Sequence, residues 1–179
     1  SIHLIVGTAP VHTVGGKVNE PVYASNYAEA VAAMGYSDEW DKYDICEEIY
    51  SSFKLYSNGP IIMVNVLDPA KHLKGAETVE KTLAGGITEL PYEAVSDTVE
   101  VKGYDGEDSL TETYTKGEDY DLFYTDGVLR LERIESGKIK ADNARLNIKF
   151  NSVDPSKVTK KEIIGGYDTN TCLLYTSPS

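Results

Sequence analysis

Two rhythms of apolar and polar positions divide this chain. In its first part, short apolar runs alternate with stretches of helical period. Ile2-His3-Leu4-Ile5-Val6-Gly7-Thr8 is β-rich and ends at Ala9-Pro10, which predicts a buried strand. Gly15-Gly16-Lys17 marks a turn, and Pro21-Val22-Tyr23-Ala24 is a second short extended piece. Asn26 followed by Glu29 has the spacing of a capping box. Tyr27, Ala30, Val31 and Met34 then fall on one face of a helix that Gly35 can close. A second helix is predicted from about Asp44 to Tyr56, with Ile45, Ile49, Phe53 and Tyr56 as its apolar stripe and Ser57-Asn58-Gly59-Pro60 as its stop. Ile61-Ile62-Met63-Val64-Asn65-Val66-Leu67 is continuous rather than alternating. Continuous runs belong to strands covered on both faces, the usual state in a parallel sheet. This run is therefore predicted at the sheet centre, parallel to Ile2–Thr8 and beside or near it, with both helices packed over the sheet.

After Asp68-Pro69 the period shortens to two. From about Glu89 to Phe150 the chain reads as an antiparallel β domain. Thr98–Lys102, Tyr120–Tyr124, Val128–Ile134 and Arg145–Phe150 alternate, and Thr125-Asp126-Gly127 between two of them is a strong hairpin signal. Asp154-Pro155-Ser156 reads as a linker. Thr159 and Glu162 have capping spacing for one helical turn, which Gly165-Gly166 would stop. The fold class is thus α/β: a partial parallel-sheet domain with helices, carrying an inserted antiparallel β-sandwich-like domain. The boundaries are residues 1–88 for the first part of the α/β core, 89–151 for the insertion and 152–171 for the return. Residues 172–179, Cys-Leu-Leu-Tyr-Thr-Ser-Pro-Ser, continue no pattern and resemble the translation of a sequencing-library adaptor. They are expected to be exposed and without structural role. On this reading the chain is a fragment truncated at both its N- and C-terminal ends, the natural chain continues differently after about Thr171, and the α/β part should show an unpaired sheet edge or an exposed apolar surface. The insertion is expected to fold semi-independently.

Composition narrows the function. Among 179 residues the formal net charge is -12, a surface that repels phosphate, and Lys157, Lys160 and Lys161, the densest basic group, are followed by Glu162. No nucleic-acid partner is expected. No apolar run approaches the roughly 18 residues of a membrane span, so no membrane insertion is expected. Cys46 reads as a small buried hydrophobe, and two cysteines make no disulfide framework. His3, His12 and His72 share no metal-ligand spacing. Val6-Gly7-Thr8-Ala9-Pro10 stands where a phosphate loop could sit, but it lacks both glycine-rich patterns, and Pro10 removes a donor. Asp119 and Asp121 lack calcium-loop spacing. No catalytic, cofactor-binding or metal residue is assigned and no cofactor is expected. The 13 tyrosines against 3 phenylalanines suit half-wet β faces and interfaces.

Several stretches, in order, resemble the tail sheath family of contractile phages and R-type bacteriocins: Val6–Pro10 followed by Val18–Val22, Tyr27–Tyr36, Gly59–Pro69, Tyr114–Tyr120 and Ile163–Gly166. Together they extend across residues 1–171. The resemblance implies a structural, non-enzymatic subunit. It would stack in rings with copies of itself around a tail tube protein, answer to a baseplate and contract to drive the tube through a target cell envelope. Its place would be the virion tail, assembled in the bacterial host cytoplasm. In that family, terminal arms lend strands to neighbouring subunits. Two other readings stand beside this one. The β insertion could be an adhesin-like or carbohydrate-binding module using Tyr104, Tyr114, Tyr120 or Tyr124, or the α/β part could be a nucleotide-using enzyme.

Overall fold

A computed structural model describes residues 2–164, and residues 167–168 and 173–174 by their backbone. The chain forms two compact units, residues 1–73 with 154–179, and residues 74–153.

In the first unit, β1 (His3–Gly7), β2 (Pro21–Ala24) and β3 (Ile61–Asn65) make one sheet in the order β1-β3-β2. β1 and β3 are parallel, with Leu4 opposite Ile62 and Val6 opposite Val64. Val64 is 2% exposed, as a strand covered on both faces requires. The sheet is mixed rather than parallel throughout, because β2 runs antiparallel to β3 with Val22 opposite Met63. Two helices, α1 (Tyr27–Met34) and α2 (Asp44–Tyr50), separate β2 from β3. One crossover helix returns a chain in its original direction, whereas two successive traverses reverse it.

α1 starts as its sequence predicts. The Asn26 side chain accepts the Glu29 N–H at 2.9 Å, and the Glu29 carboxylate accepts the Ser25 N–H at 2.7 Å. α2 differs from expectation. Regular helix ends at Tyr50, and Ser51–Leu55 forms a wider π-helical turn. This turn carries the apolar stripe through Phe53 but rotates Tyr56 outward, where it is 69% exposed. Ala30 and Met34 of α1 and Ile45 and Ile49 of α2 close over Ile61 and Met63 of β3. Each large side chain so buried stabilises the fold by roughly 1.5–3 kcal/mol.

The chain re-enters this unit through a 3-10 turn at Pro155–Lys157 and α3 (Lys160–Ile164). Thr159 and Glu162 form a reciprocal capping box: Thr159 Oγ1 accepts the Glu162 N–H at 3.2 Å, and Glu162 Oε2 accepts the Thr159 N–H at 2.7 Å. Beyond α3, the backbone of Tyr167–Asp168 (β11) pairs antiparallel with Leu173–Leu174 (β12), a short ladder that the sequence pattern does not foresee. The other residues of the 172–179 string, with the expectation that it is exposed, lie outside the described residues.

The named strands of the second unit all pair antiparallel. β4 (Glu77–Thr82), β6 (Glu100–Asp105), β7 (Ser109–Thr113) and β10 (Arg145–Phe150) form one sheet in the order β4-β10-β6-β7. β5 (Ile87–Pro91), β8 (Tyr120–Thr125) and β9 (Val128–Arg133) form another in the order β5-β9-β8. Val101, Leu146, Ile148 and Phe150 of the first sheet and Leu90, Tyr120, Leu129 and Leu131 of the second share one core, a sandwich-like arrangement. The unit begins at Lys74, ahead of residue 89, because all six residues of β4 pair with β10.

The β8–β9 hairpin turns on Asp126 and Gly127, with φ of 49° and 75°. Two successive positive φ values match the right-handed twist of the strands, and Asp-Gly tolerates them. Gly127→Val would force a β-branched residue into the left-handed region. It should lower unfolding free energy by about 1–2 kcal/mol, read as a shifted urea midpoint, while Asp126→Asn should leave the midpoint nearly unchanged.

Candidate functional site

In open α/β sheets, ligands settle beyond the carboxyl ends of the parallel strands. Here that position is taken by the protein's own side chains. The Thr8 N–H donates to Asp44 Oδ1 at 2.7 Å, and the Ala9 N–H donates to Asn65 Oδ1 at 3.0 Å. These are the amides a phosphate would need. Asn65 is fully buried and uses both ends of its amide: Oδ1 also accepts the Leu67 N–H at 3.0 Å, while Nδ2 donates to Leu67 O at 2.9 Å and Lys17 O at 3.3 Å. Gly7 makes the arrangement possible, since a Cβ there would stand 2.2 Å from Asp44 Oδ1. The Val6–Pro10 loop is therefore a closed structural knot in this structure.

The three histidines are put to separate uses. His3 is exposed on β1 and His12 lies in the 3-10 turn Val11–Thr13. His72 is buried. Its Nδ1 accepts the Asp68 N–H at 2.8 Å, which places the proton of the neutral ring on Nε2, facing the Glu162 carboxylate oxygens at 3.1 and 3.2 Å. Lys71 Nζ meets the same carboxylate at 2.5 Å. The Lys71 ammonium first, then the Thr159 N–H, hold the Glu162 carboxyl at about 2, against the opposing effect of its partial burial. Nearby, the Asp154 N–H donates to His72 O and Lys157 Nζ to Leu73 O, so the outgoing and returning segments of the chain are clamped together. The cluster reads as a latch, and sequence reasoning missed it, because His72 and Glu162 stand 90 residues apart.

The four tyrosines considered for carbohydrate are engaged inside their own unit. Tyr120 is core. The Tyr124 hydroxyl donates to Ala94 O at 2.5 Å and accepts the Ser96 N–H at 2.9 Å. The Arg145 guanidinium lies 3.5 Å over the Tyr104 ring. Tyr114 packs against the core beside Gly103. Asp119, from the pair considered for calcium, is buried and accepts the Thr115 and Lys138 N–H groups, which lowers its carboxyl pKa. Its role is to staple a turn.

What remains open is an edge. β3 covers one side of β1, and no described strand covers the other. Gly7 O accepts from Val66 N–H, so the odd-numbered residues of β1 turn their peptide groups toward β3 and the even-numbered ones away. Thr8 obeys this rule, with Asp44 and Ile45 N–H meeting its outward groups. Leu4 and Val6 direct theirs into an open trough of about 620 Å3, lined by Ile2–Val6 on the strand side and by Asp44, Glu47 and Glu48 of α2 on the other. Ile2 and Leu4 are 52% and 41% exposed.

Comparison with known proteins gives these features a context. Over 163 residues the chain is 31% identical to the tail sheath protein of Burkholderia phage BcepMu. The match takes in 90% of this chain and 31% of the phage protein, so the chain spans about a third of its relative's length. No family model matches the chain, and no solved structure matches it. The likeness to the sheath protein supports a tail sheath family.

Two measurements probe the knot and the latch. Asn65→Asp keeps the shape and both acceptor bonds but turns an acceptor oxygen toward Lys17 O and Leu67 O. It should cost about 2–4 kcal/mol, in the range for a buried polar group facing the wrong partner, measured by urea unfolding. Glu162 has a folded-state pKa below its ordinary value of 4.5. Its contribution is therefore present above that value and lost as pH falls toward about 2. The stability gap between the parent and Glu162→Gln should be present at pH 5 and shrink steadily as pH falls below about 4.5. A gap that does not narrow in acid would contradict this account of the latch.

Proposed function

We propose that this chain is a segment of a structural subunit of a contractile tail sheath. The subunit stacks with copies of itself in rings around a tail tube, and contraction of the sheath, released at a baseplate, drives the tube through the target cell envelope. Its location is the virion tail, assembled in the bacterial host cytoplasm, and its work is mechanical rather than catalytic. The observation that carries this reading is the 31% identity to a phage tail sheath protein across nearly the whole chain. The inward use of the chain's polar chemistry supports it. Thr8, Ala9 and Asn65 close the loop where a nucleotide would sit, and the tyrosines and Asp119 serve their own unit.

The physical demands of such a subunit are general. A head-to-tail contact repeated around and along an axis builds a helical assembly without end. Contraction needs two rigid-body arrangements of that assembly, separated by a barrier. Two separately cored units suit rigid-body movement, because each keeps its own hydrophobic cluster.

A chimaera tests the proposal. The matched 163 residues replace their counterpart in the tail sheath protein of Burkholderia phage BcepMu, and the product is produced with that phage's remaining tail proteins. Sheathed tails visible by electron microscopy are the expected outcome. A chimaera that melts cooperatively yet forms no sheath would count against the reading.

A further inference from the structure

Asparagine followed directly by glycine occurs once in this chain, at Asn58-Gly59. The pair lies in the loop between the π-helical turn and β3, and both residues are exposed. The fold uses the main chain of this loop. Ser57 turns it with a φ of 52°, and the Asn58 N–H donates to Ser52 O at 2.5 Å. Two groups are left free. Among the described residues, neither the Asn58 carboxamide nor the Gly59 N–H has a hydrogen-bond partner. Other asparagines are engaged. Asn26 caps α1, Asn65 is buried in its knot, Asn147 donates to the Tyr104 hydroxyl and Asn151 to Lys74 O. Each asparagine except Asn58 also precedes a residue with a side chain, which screens the next amide nitrogen.

Glycine at 59 has a packing cause. A Cβ there would stand 2.7 Å from a Phe53 ring carbon and 2.9 Å from Ser25 O, and Phe53 packs against the core of the first unit. The bare backbone that fits this seat also leaves its own nitrogen open to the Asn58 side chain. The requirement of the core and the exposure of the loop therefore meet at one peptide bond.

We propose that Asn58-Gly59 is a site of spontaneous covalent modification, where the folded protein converts asparagine to aspartate and isoaspartate. The Gly59 nitrogen loses its proton to hydroxide and attacks Asn58 Cγ. The new N–Cγ bond closes a succinimide ring as the Cγ–Nδ2 bond breaks, and ammonia leaves after taking a proton from water. Water then opens the ring. Attack at Cγ breaks the new bond and leaves aspartate. Attack at the main-chain carbonyl carbon of residue 58 breaks the original peptide bond and leaves isoaspartate, with the chain running through the former side chain. The net change consumes water and releases ammonia. Isoaspartate lengthens the backbone by one carbon between the Ser52 bond and the Gly59 seat, just ahead of Ile61, which is buried and paired on both sides. The product carries one more negative charge and a misfit where the central strand begins. This inference stands apart from the sheath reading, and either can fail alone.

Ageing the full 179-residue chain in mildly alkaline buffer tests it, with folded and urea-unfolded samples digested and mapped by mass at intervals. The peptide holding residues 58 and 59 should gain the mass by which a carboxylic acid exceeds an amide, as two products that separate by chromatography. It should do so before any other asparagine peptide, faster at higher pH, and in the folded sample at a rate within about tenfold of the unfolded one, a barrier difference of less than about 1.4 kcal/mol. Asn58→Gln, whose side chain would have to close a larger ring, should abolish the change. The aged protein should melt below fresh protein, whereas fresh Asn58→Asp, which adds the charge without the extra carbon, should melt close to the parent. Conversion of the unfolded sample with none in the folded one would show that the fold protects the site and overturn the proposal. So would earlier conversion of another asparagine, or an aged protein that melts like Asn58→Asp.

Discussion

The first unit depends on one buried amide. Asn65 ends the central strand, and from there its side chain reaches the segment after β1, the loop at Lys17 and the chain that leaves β3. Its four hydrogen bonds join pieces of backbone that no sheet ladder reaches. A buried amide so placed has little tolerance, since every partner it loses becomes an unsatisfied group in a dry interior. That sensitivity keeps β1 and β3 in a single register. A slip by one residue would turn Ile61 and Met63 away from the helices and pull Asn65 out of its knot.

The same economy appears in the second unit with a different residue. Asp119 accepts from the backbone of Thr115 and Lys138, and Tyr124 ties the β5–β6 connection to its own strand at Ala94 and Ser96. Polar side chains inside both units mostly bond to main chain rather than to one another. Such contacts hold loops in place and leave little chemistry facing outward, an arrangement that suits a component whose shape is its function.

Sequence was readable where near neighbours decide a residue's state. Asn26 with Glu29, Thr159 with Glu162 and Asp126 with Gly127 act over three or four residues, and the structure has their caps and turn. The continuous run of β3 gave its burial and its parallel partner. Reading failed where distant chain decides. Glu77-Thr78-Val79-Glu80-Lys81-Thr82 has too few apolar positions to read as a strand, yet it forms one because β10 offers it a ladder. The direction of β2 followed from the number of helices after it, not from its own residues. The π-helical turn left no local mark. Asn65 looked like an interruption of an apolar run, and a lone amide inside such a run is the signal that could have found the knot.

The latch between His72 and Glu162 has a consequence for biosynthesis. The ribosome releases His72 long before Glu162, and the whole second unit emerges in between. If that intervening chain were unstructured, joining its ends would carry the entropy of closing a loop of some ninety residues. Once the second unit has folded, the Lys74 N–H donates to Ser152 O at 2.8 Å, so its two ends leave side by side. The returning segment is then delivered to His72 across a gap of only a few residues. Folding of the inserted unit thus primes closure of the unit that surrounds it in sequence, and the chain assembles in the order in which it is translated.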